Sequence, residues 1–256
     1  MLQDLLKQAA YRCGFSLRRL RGVKSRTGAV GSAHLGNDGA ALRQAIHAVD
    51  PYAGFDFSAI PRDDQGWGSQ SPAFGTLVER VRPRLIIEVG TWKGGSALEM
   101  AAHLDRLAMP ETTLLCIDTW LGALEMWGDQ TDADRYGSLA LKHGYPQLYY
   151  QFLANVCHRG MQRRIIPFPL PSVTAAQWLS LRGVRAELIY LDGSHEEEDV
   201  YADLTDYWDL LASGGVIFGD DYSWTGVKMA VDRFAAERRL RLDQLADKWL
   251  LAKVKS

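Results

Sequence analysis

A short apolar run followed at once by a glycine-rich loop most constrains how this chain can fold. The run is Leu85–Val89, and Gly90, Gly94 and Gly95 follow it before a helical pattern begins at Ala97. Such a run is typical of a strand that is buried on both faces of a sheet. Glycines permit positive φ and a close approach to a ligand, and the helix start offers unpaired N–H groups. The pattern predicts a strand, a ligand-binding loop and a helix.

The acidic residue near the end of this strand limits the kind of ligand. Glu88 would repel the pyrophosphate that a dinucleotide-binding loop holds. The glycine spacing also departs from the Gly-x-Gly-x-x-Gly fingerprint of dinucleotide sites. A cationic or hydroxyl-rich ligand fits better. Two alternatives stay open at this point, an NAD-dependent oxidoreductase and a non-catalytic nucleoside-binding scaffold protein.

Apolar strands and helical patterns alternate along the rest of the chain. Further strands are predicted at Thr113–Ile117, 165–166, Glu187–Leu191, Gly215–Phe218, 240–242 and 249–254. This alternation indicates an α/β fold with a mostly parallel sheet. Residues 1–75 contain a helix, a glycine-rich linker and an irregular aromatic segment instead. We therefore expect an N-terminal cap over 1–75 and a main domain over 76–256.

Composition excludes several classes of protein. The net charge is −2, so no nucleic-acid partner is expected. The three cysteines are odd in number and far apart, which is typical of a reducing compartment and predicts a cytoplasmic location. No apolar run approaches the length of a membrane span, and no signal-peptide pattern begins the chain.

The first 26 residues are locally basic. Seven basic residues stand against the single acid Asp4: Lys7, Arg12, Arg18, Arg19, Arg21, Lys24 and Arg26. The leucines and alanines of this segment have helical spacing, which predicts a basic amphipathic helix. This helix would either bind an anionic membrane surface or pack on the main domain or across a dimer. An extended N-terminal helix with a long cap also favours a homo-oligomer.

Acidic residues follow three of the predicted strands at the point where each strand ends. Asp118 follows the second strand, Asp192 the fourth, and Asp220 and Asp221 the fifth. Ligands of such sheets bind beyond the carboxyl ends of the strands. Asp118 is placed to accept the hydroxyls of a ribose. The carboxylates of Asp192, Asp220 and Asp221 would converge and repel one another unless a divalent cation, most plausibly Mg²⁺, neutralised them. Alternatively, these three residues cap a helix or form a turn.

His195 lies three residues beyond Asp192 and so at the mouth of the same predicted site. An imidazole that titrates near neutral pH can remove a proton from a bound hydroxyl. We therefore predict that His195 is a general base. Four aromatic residues are candidate walls of the pocket: Trp120, Trp127, Tyr145 and Trp224.

These motifs together resemble the class I S-adenosylmethionine-dependent methyltransferases. Glu88-Val-Gly-Thr-Trp-Lys-Gly-Gly-Ser96, Asp118-Thr-Trp-Leu-Gly122, Asp192-Gly-Ser-His195 and Gly219-Asp-Asp221 carry the resemblance, which extends over roughly residues 76–256. Within that superfamily they are similar to metal-dependent bacterial O-methyltransferases that act on sugar hydroxyls of natural products or polysaccharides. The resemblance implies a Rossmann-like sheet of seven strands in the order 3-2-1-4-5-7-6, with helices on both faces and the seventh strand antiparallel.

The resemblance also implies roles for individual residues. The loop residues Glu88, Gly90, Thr91, Gly94 and Ser96 would hold the methionine part of S-adenosylmethionine, Asp118 the ribose, and Ser172 the adenine. Asp192, Asp220 and Asp221 would bind Mg²⁺, with Asp192 and His195 serving catalysis. The acceptor would be a hydroxyl of a small molecule or glycan, with a sugar diol preferred and a catechol second.

Overall fold

The computed structural model describes residues 34–255, so the predicted basic N-terminal helix lies outside the described residues. Its helices are α1 (Gly39–Ile46), α2 (Pro72–Val81), α3 (Gly95–Arg106), α4 (Leu148–His158), α5 (Ser172–Leu181), α6 (Glu197–Leu210) and α7 (Thr225–Arg238). Its strands are β1 (Leu85–Val89), β2 (Thr113–Ile117), β3 (Ile165–Phe168), β4 (Ala186–Leu191), β5 (Leu211–Gly219), β6 (Leu242–Leu245) and β7 (Lys248–Ala252). Strands and helices alternate from β1 to β6, as the sequence predicts, and β7 follows β6 directly.

The seven strands form one sheet in the order β3-β2-β1-β4-β5-β7-β6. The strands β1 to β5 pair in parallel, whereas β7 is antiparallel to both β5 and β6. The predicted topology is therefore confirmed. The carboxyl ends of β1, β2, β4 and β5 meet at one edge of the sheet, and this arrangement places the loops that follow them side by side.

The sheet separates two apolar cores. Leu85, Ile87 and Val89 of β1 belong to one core, and Ile86 belongs to the other. Alternate residues of a strand point to opposite faces, and both faces are covered by helices, so every residue of β1 is buried. Glu88 faces the same side as Ile86 and is thereby directed into a core rather than towards solvent.

Local sequence signals explain where two of the helices begin. The hydroxyl of Ser71 accepts a hydrogen bond from the N–H of Ala73, and Pro72 takes the first helical position of α2. The first turn of α6 carries Glu197, Glu198 and Asp199. Their negative charges complement the positive end of the helix dipole and so stabilise the start of α6.

Strand β5 is longer than the sequence predicts. It begins at Leu211, immediately after α6 ends at Leu210, whereas the prediction placed its start at Gly215. Leu211 is buried and pairs with Ala186, and the register shifts before Leu188 pairs with Val216. A bulge of this kind absorbs extra residues within a strand pair, which hydrophobic patterning alone does not reveal.

The residues between α1 and α2 form neither helix nor strand, as expected for an irregular cap. The buried Asn155 of α4 holds this segment: its side-chain oxygen accepts the N–H of Asp63 at 2.9 Å, and its amide donates to the carbonyl oxygens of Asp63 and Lys93. We call residues 62–69 the strap. None of the described helices is long and apolar enough to cross a membrane.

Candidate active site

A cavity of about 720 Å³ lies at the edge of the sheet where the carboxyl ends of the parallel strands meet. Among the residues of the predicted site, its walls include Gly90, Thr91, Ser96, Asp118, Ser172, Asp192, His195 and Asp221. Glu88, Gly94 and Asp220 are not among its lining residues. A volume of this order is typical of small-molecule sites. The structure therefore brings the glycine loop and the His195 loop together around one space.

Asp118 organises the glycine loop. Its Oδ2 accepts hydrogen bonds from the N–H groups of Thr91 and Trp92, both at 2.8 Å, and its Oδ1 accepts from the N–H of Trp120 at 2.7 Å. Trp92 has a φ of 53°, which is uncommon for a non-glycine residue, and this hydrogen bond helps to hold it there. A carboxylate accepts about four hydrogen bonds. With Thr119 as a further backbone partner, most of the acceptor capacity of Asp118 is used to hold the loop.

Glu88 lies beneath the glycine loop, inside the core. In the register of the sheet it stands between Cys116 and Tyr190. The hydroxyl of Ser96 donates to its Oε1, and the Cys116 thiol lies 3.5 Å from its Oε2. Burial raises the pKa of Glu88 to about 8, against the lowering effect of these hydrogen bonds. Its contact with Ser96 supports the start of α3 from below.

Gly90 joins the two halves of the site. It has a φ of +81°, and a Cβ there would lie 2.1 Å from the carbonyl oxygen of Asp192. No side chain fits at that distance. Because Gly90 has no side chain, the end of β1 can approach the end of β4 closely. The loops that follow β1 and β4 therefore form one continuous wall of the cavity.

The three carboxylates of the predicted magnesium site line one small cavity of about 10 Å³ together with His195, but they are not arranged as a metal site in residues 34–255. Asp220 pairs through its Oδ2 with the buried Lys248, and its Oδ1 accepts the N–H of Asp221 at 2.8 Å. Asp192 accepts a hydrogen bond of 2.9 Å from the phenol of Tyr190. Over residues 34–255, no group of three or more His, Cys, Asp or Glu residues is arranged to hold a metal ion.

The physical reason is the position of β7. The prediction from sequence assumed that nothing in the protein neutralised the converging carboxylates. The antiparallel pairing of β7 with β5 places Lys248 beside Asp220, so a side chain of the protein supplies the cation. Burial raises the pKa of Asp192 well above its usual range, and the nearby carboxylates of Asp220 and Asp221 raise it further.

His195 is held between two carboxylates and an indole ring. Its Nε2 lies 2.9 Å from Asp221 Oδ2, and its Nδ1 lies 3.1 Å from Glu125 Oε1. The ring stacks on Trp224 with 4.3 Å between the ring centroids and 21° between the planes. The hydrogen bond to Asp221 raises the pKa of His195, and the charges of Asp221 and Glu125 add to this while burial opposes it.

Sequence reasoning missed several residues of the cavity. Glu125 and Arg135 come from the long segment between β2 and α4, and Trp67 comes from the strap. A connection as long as the one between β2 and α4 is typical of a functional loop, but its sequence does not show which side chains face inwards. Asp203 of α6 also lines the cavity, and burial raises its pKa to about 6.

The four candidate aromatic walls have different positions. Trp224 lines the cavity, as predicted. Trp120 is buried in the core and donates from its ring nitrogen to the carbonyl oxygen of Trp92 at 2.9 Å, so it supports the glycine loop. Trp127 and Tyr145 are partly exposed and are not among the lining residues.

Solved structures with this fold include several O-methyltransferases. The O-methyltransferase of Bacillus cereus, in complex with SAH, has a TM-score of 0.51 and 18% sequence identity, with 83% of this chain and 99% of that chain covered. TomG of Streptomyces achromogenes, involved in tomaymycin synthesis and in complex with SAM, has a TM-score of 0.51 and 15% identity, with 84% and 99% covered. CalS11, a TDP-rhamnose 3′-O-methyltransferase of calicheamicin biosynthesis, has a TM-score of 0.50 and 20% identity, with 70% and 77% covered.

These similarities establish the fold. A comparison with curated protein sequences finds no match. The family described as "Methyltransferase domain" matches residues 87–222, which is more than half of the chain and spans β1 to the loop after β5. This range contains the glycine loop, Asp118, Asp192, His195 and Asp221. The chain is therefore a member of the methyltransferase domain family.

Proposed function

We propose that this methyltransferase transfers the methyl group of S-adenosylmethionine to a hydroxyl of a small molecule or glycan. The observation that carries the proposal is the single cavity that joins the glycine loop to His195. A methyl donor and an acceptor have to meet in one space for direct transfer, and positioning of this kind contributes about 7–11 kcal/mol to catalysis. The family match and the O-methyltransferases of similar fold support this reading.

The lining of the cavity fits a cationic cofactor. Six carboxyl residues face it, against the single arginine Arg135: Asp118, Glu125, Asp192, Asp199, Asp203 and Asp221. S-adenosylmethionine, when bound, supplies an electrophilic methyl group on a positively charged sulfonium. Gly90, Thr91 and Ser96 would hold its methionine part, Asp118 its ribose, and Ser172 its adenine.

His195 is the residue that we assign as the general base. Its two carboxylate partners favour the protonated ring, so the neutral ring that accepts a proton becomes available as the pH rises. Asp221 stays on Nε2 and stabilises the imidazolium that forms when the acceptor loses its proton. Glu125 occupies Nδ1, and the acceptor hydroxyl would replace Glu125 at that nitrogen.

The acceptor that we favour is a sugar hydroxyl. CalS11, of similar fold, is a TDP-rhamnose 3′-O-methyltransferase. In this chain Trp224 is half exposed at the cavity, and one face of its indole stacks on His195. The remaining surface of the indole suits the apolar face of a sugar ring or an aromatic acceptor. No step of the proposal runs through Mg²⁺, because Asp220 is already neutralised by Lys248.

The first test is calorimetric titration with S-adenosylmethionine and with NAD⁺, followed by a methyl-transfer assay with sugar diols and catechols. We expect S-adenosylmethionine alone to bind. His195→Gln should keep that binding and lower turnover by about 100- to 10,000-fold. His143→Gln, at an exposed position that does not line the cavity, is the matched control. Binding of NAD⁺ alone, or full turnover by His195→Gln, would contradict the proposal.

A further inference from the structure

Lys248 is a fully buried ammonium beside the cavity. It begins β7, and its side chain is 0% exposed. Its Nζ pairs with the carboxylate of Asp220, lies 2.8 Å from Asp247 Oδ2, and lies 3.4 Å from the carbonyl oxygen of Gly68. A buried ammonium is tolerated only when its donors are paired in this way. Lys248 is therefore a built component of the site rather than a surface residue that happens to lie nearby.

This ammonium leaves Asp220 with little capacity for another cation. One carboxylate oxygen is paired with Lys248, and the other accepts the N–H of Asp221. Asp220 does not line the 720 Å³ cavity, which Asp192 and Asp221 face. The three carboxylates meet only around an adjacent cavity of about 10 Å³, which is too small for a magnesium ion with its waters. A magnesium ion at the three carboxylates would have to displace a buried cation that is paired with two carboxylates. The displaced ammonium would keep Asp247 and the carbonyl oxygen of Gly68 but would lose its pairing with Asp220 inside the core.

The strap closes the space from the other side. Gly68, with a φ of +62°, lies so near that a Cβ there would be 2.4 Å from Asp220 Oδ2 and 2.9 Å from Lys248 Nζ. The hydroxyl of Ser71 donates to Asp247 and ties the start of α2 to the same cluster. Magnesium needs six ligands at about 2.0–2.1 Å and usually keeps several waters. The close approach of Gly68 leaves no space for such waters on that side of Asp220.

From this arrangement we infer that Lys248 is the permanent counter-cation of Asp220 and that methyl transfer at this site needs no divalent metal. The second part rests on the function proposed above, whereas the first does not. The consequence for the reaction is that the acidity of the acceptor hydroxyl is not increased by a metal. His195 and Asp221 then have to handle the proton by themselves, and Asp192 remains a wall of the cavity.

Metal binding to the chelator-treated full chain tests the first part without any need for turnover. We expect Mn²⁺, measured by electron paramagnetic resonance, and Mg²⁺, measured by calorimetry, to show no stoichiometric binding. Lys248→Met frees the carboxylate of Asp220 and should gain Mn²⁺ binding, whereas Lys248→Arg keeps the charge and should not. One Mn²⁺ per wild-type chain, lost in Asp220→Asn, would overturn the inference even if Lys248→Met does not fold.

Activity tests the second part. With an acceptor identified, methyl transfer should change by less than about twofold when a chelator is added or Mg²⁺ is supplied. A loss of activity with chelator that Mg²⁺ restores would refute the metal-independent reaction. If no acceptor is methylated but wild-type protein also binds no metal, the proposed function fails while the assignment of Lys248 as counter-cation stands. The two failures are thus distinguishable.

Discussion

Replacing Glu88 by glutamine should stabilise the protein, and more so at higher pH. Glu88 is fully buried, and burial raises its pKa from 4.5 to about 8. Between these two values the folded state binds a proton that the unfolded state has released. The free energy of unfolding therefore falls by about 1.4 kcal/mol per pH unit from this group alone. Below pH 4.5 the carboxyl of Glu88 is neutral in both states, and its burial does not lower the free energy of unfolding through ionisation. This contribution to stability decreases as the pH rises and is fully lost at about pH 8.

Glutamine has the shape of the protonated side chain and does not ionise. Its amide group can donate to the hydroxyl oxygen of Ser96, and its carbonyl oxygen can accept from the thiol of Cys116, which replaces both contacts of Glu88. The free energy of unfolding of Glu88→Gln, relative to wild type, should rise by about 3–4 kcal/mol between about pH 5 and pH 8. Other titrating groups contribute equally to both proteins and cancel in this difference.

Urea denaturation followed by tryptophan fluorescence measures this difference, since the chain has eight tryptophans. Glu79→Gln, on the exposed face of α2, is the control and should leave the pH dependence unchanged. If the stability of Glu88→Gln and of wild type changed in parallel with pH, Glu88 would be ionised in the folded protein. The account of its burial and of its contact with Ser96 would then be wrong.

Four further outcomes follow from the site. Asp118→Asn places an amide opposite the N–H groups of Thr91 and Trp92 and should weaken S-adenosylmethionine binding by at least about tenfold in calorimetry; unchanged affinity would show that the loop is held by other contacts. The value of kcat/KM should rise with pH with a midpoint above 6.5, because a raised pKa keeps His195 protonated to higher pH, and Asp221→Asn should move that midpoint down. If the acceptor replaces Glu125 at Nδ1 of His195, Glu125→Gln should lower kcat by less than about tenfold, which is far less than the effect of His195→Gln. An equal loss of kcat in the two variants would instead assign Glu125 a direct role in the reaction. Asn155→Ala removes a fully buried amide and should lower the free energy of unfolding by about 1–3 kcal/mol and speed proteolysis of the strap, whereas Gln147→Ala, just before α4, should do neither.

The fold was predictable because β1, β2, β4 and β5 each contain an apolar run that is followed by a glycine or an acid. Leu85–Val89 is one such run, and its burial on both faces required a parallel sheet with helices on either side. The alternation of residues along a strand also shows why Glu88 is buried in a core and is not among the residues that line the cavity. An acid one residue before the strand end points to a sheet face, whereas Asp118, immediately after its strand, reaches the cavity edge.

The magnesium prediction is not confirmed, and the reason lies outside local sequence. Asp192, Asp220 and Asp221 were placed correctly at the ends of neighbouring strands, but their charges were counted without β7. Only the antiparallel register of that strand brings Lys248 to Asp220. Glu125 was equally hidden, because the direction of a side chain in an irregular segment depends on contacts with the finished fold rather than on periodicity.

The three amide hydrogen bonds of Asp118 have a thermodynamic consequence for any ligand of the glycine loop. They fix the backbone of Thr91 and Trp92, including the left-handed conformation of Trp92, before a ligand arrives. Ordering one residue costs about 1–2 kcal/mol of conformational entropy, and here that cost is met during folding. A ligand then meets a rigid receptor, so its affinity is not reduced by loop ordering, and its binding should leave the hydrogen exchange of these two amides almost unchanged.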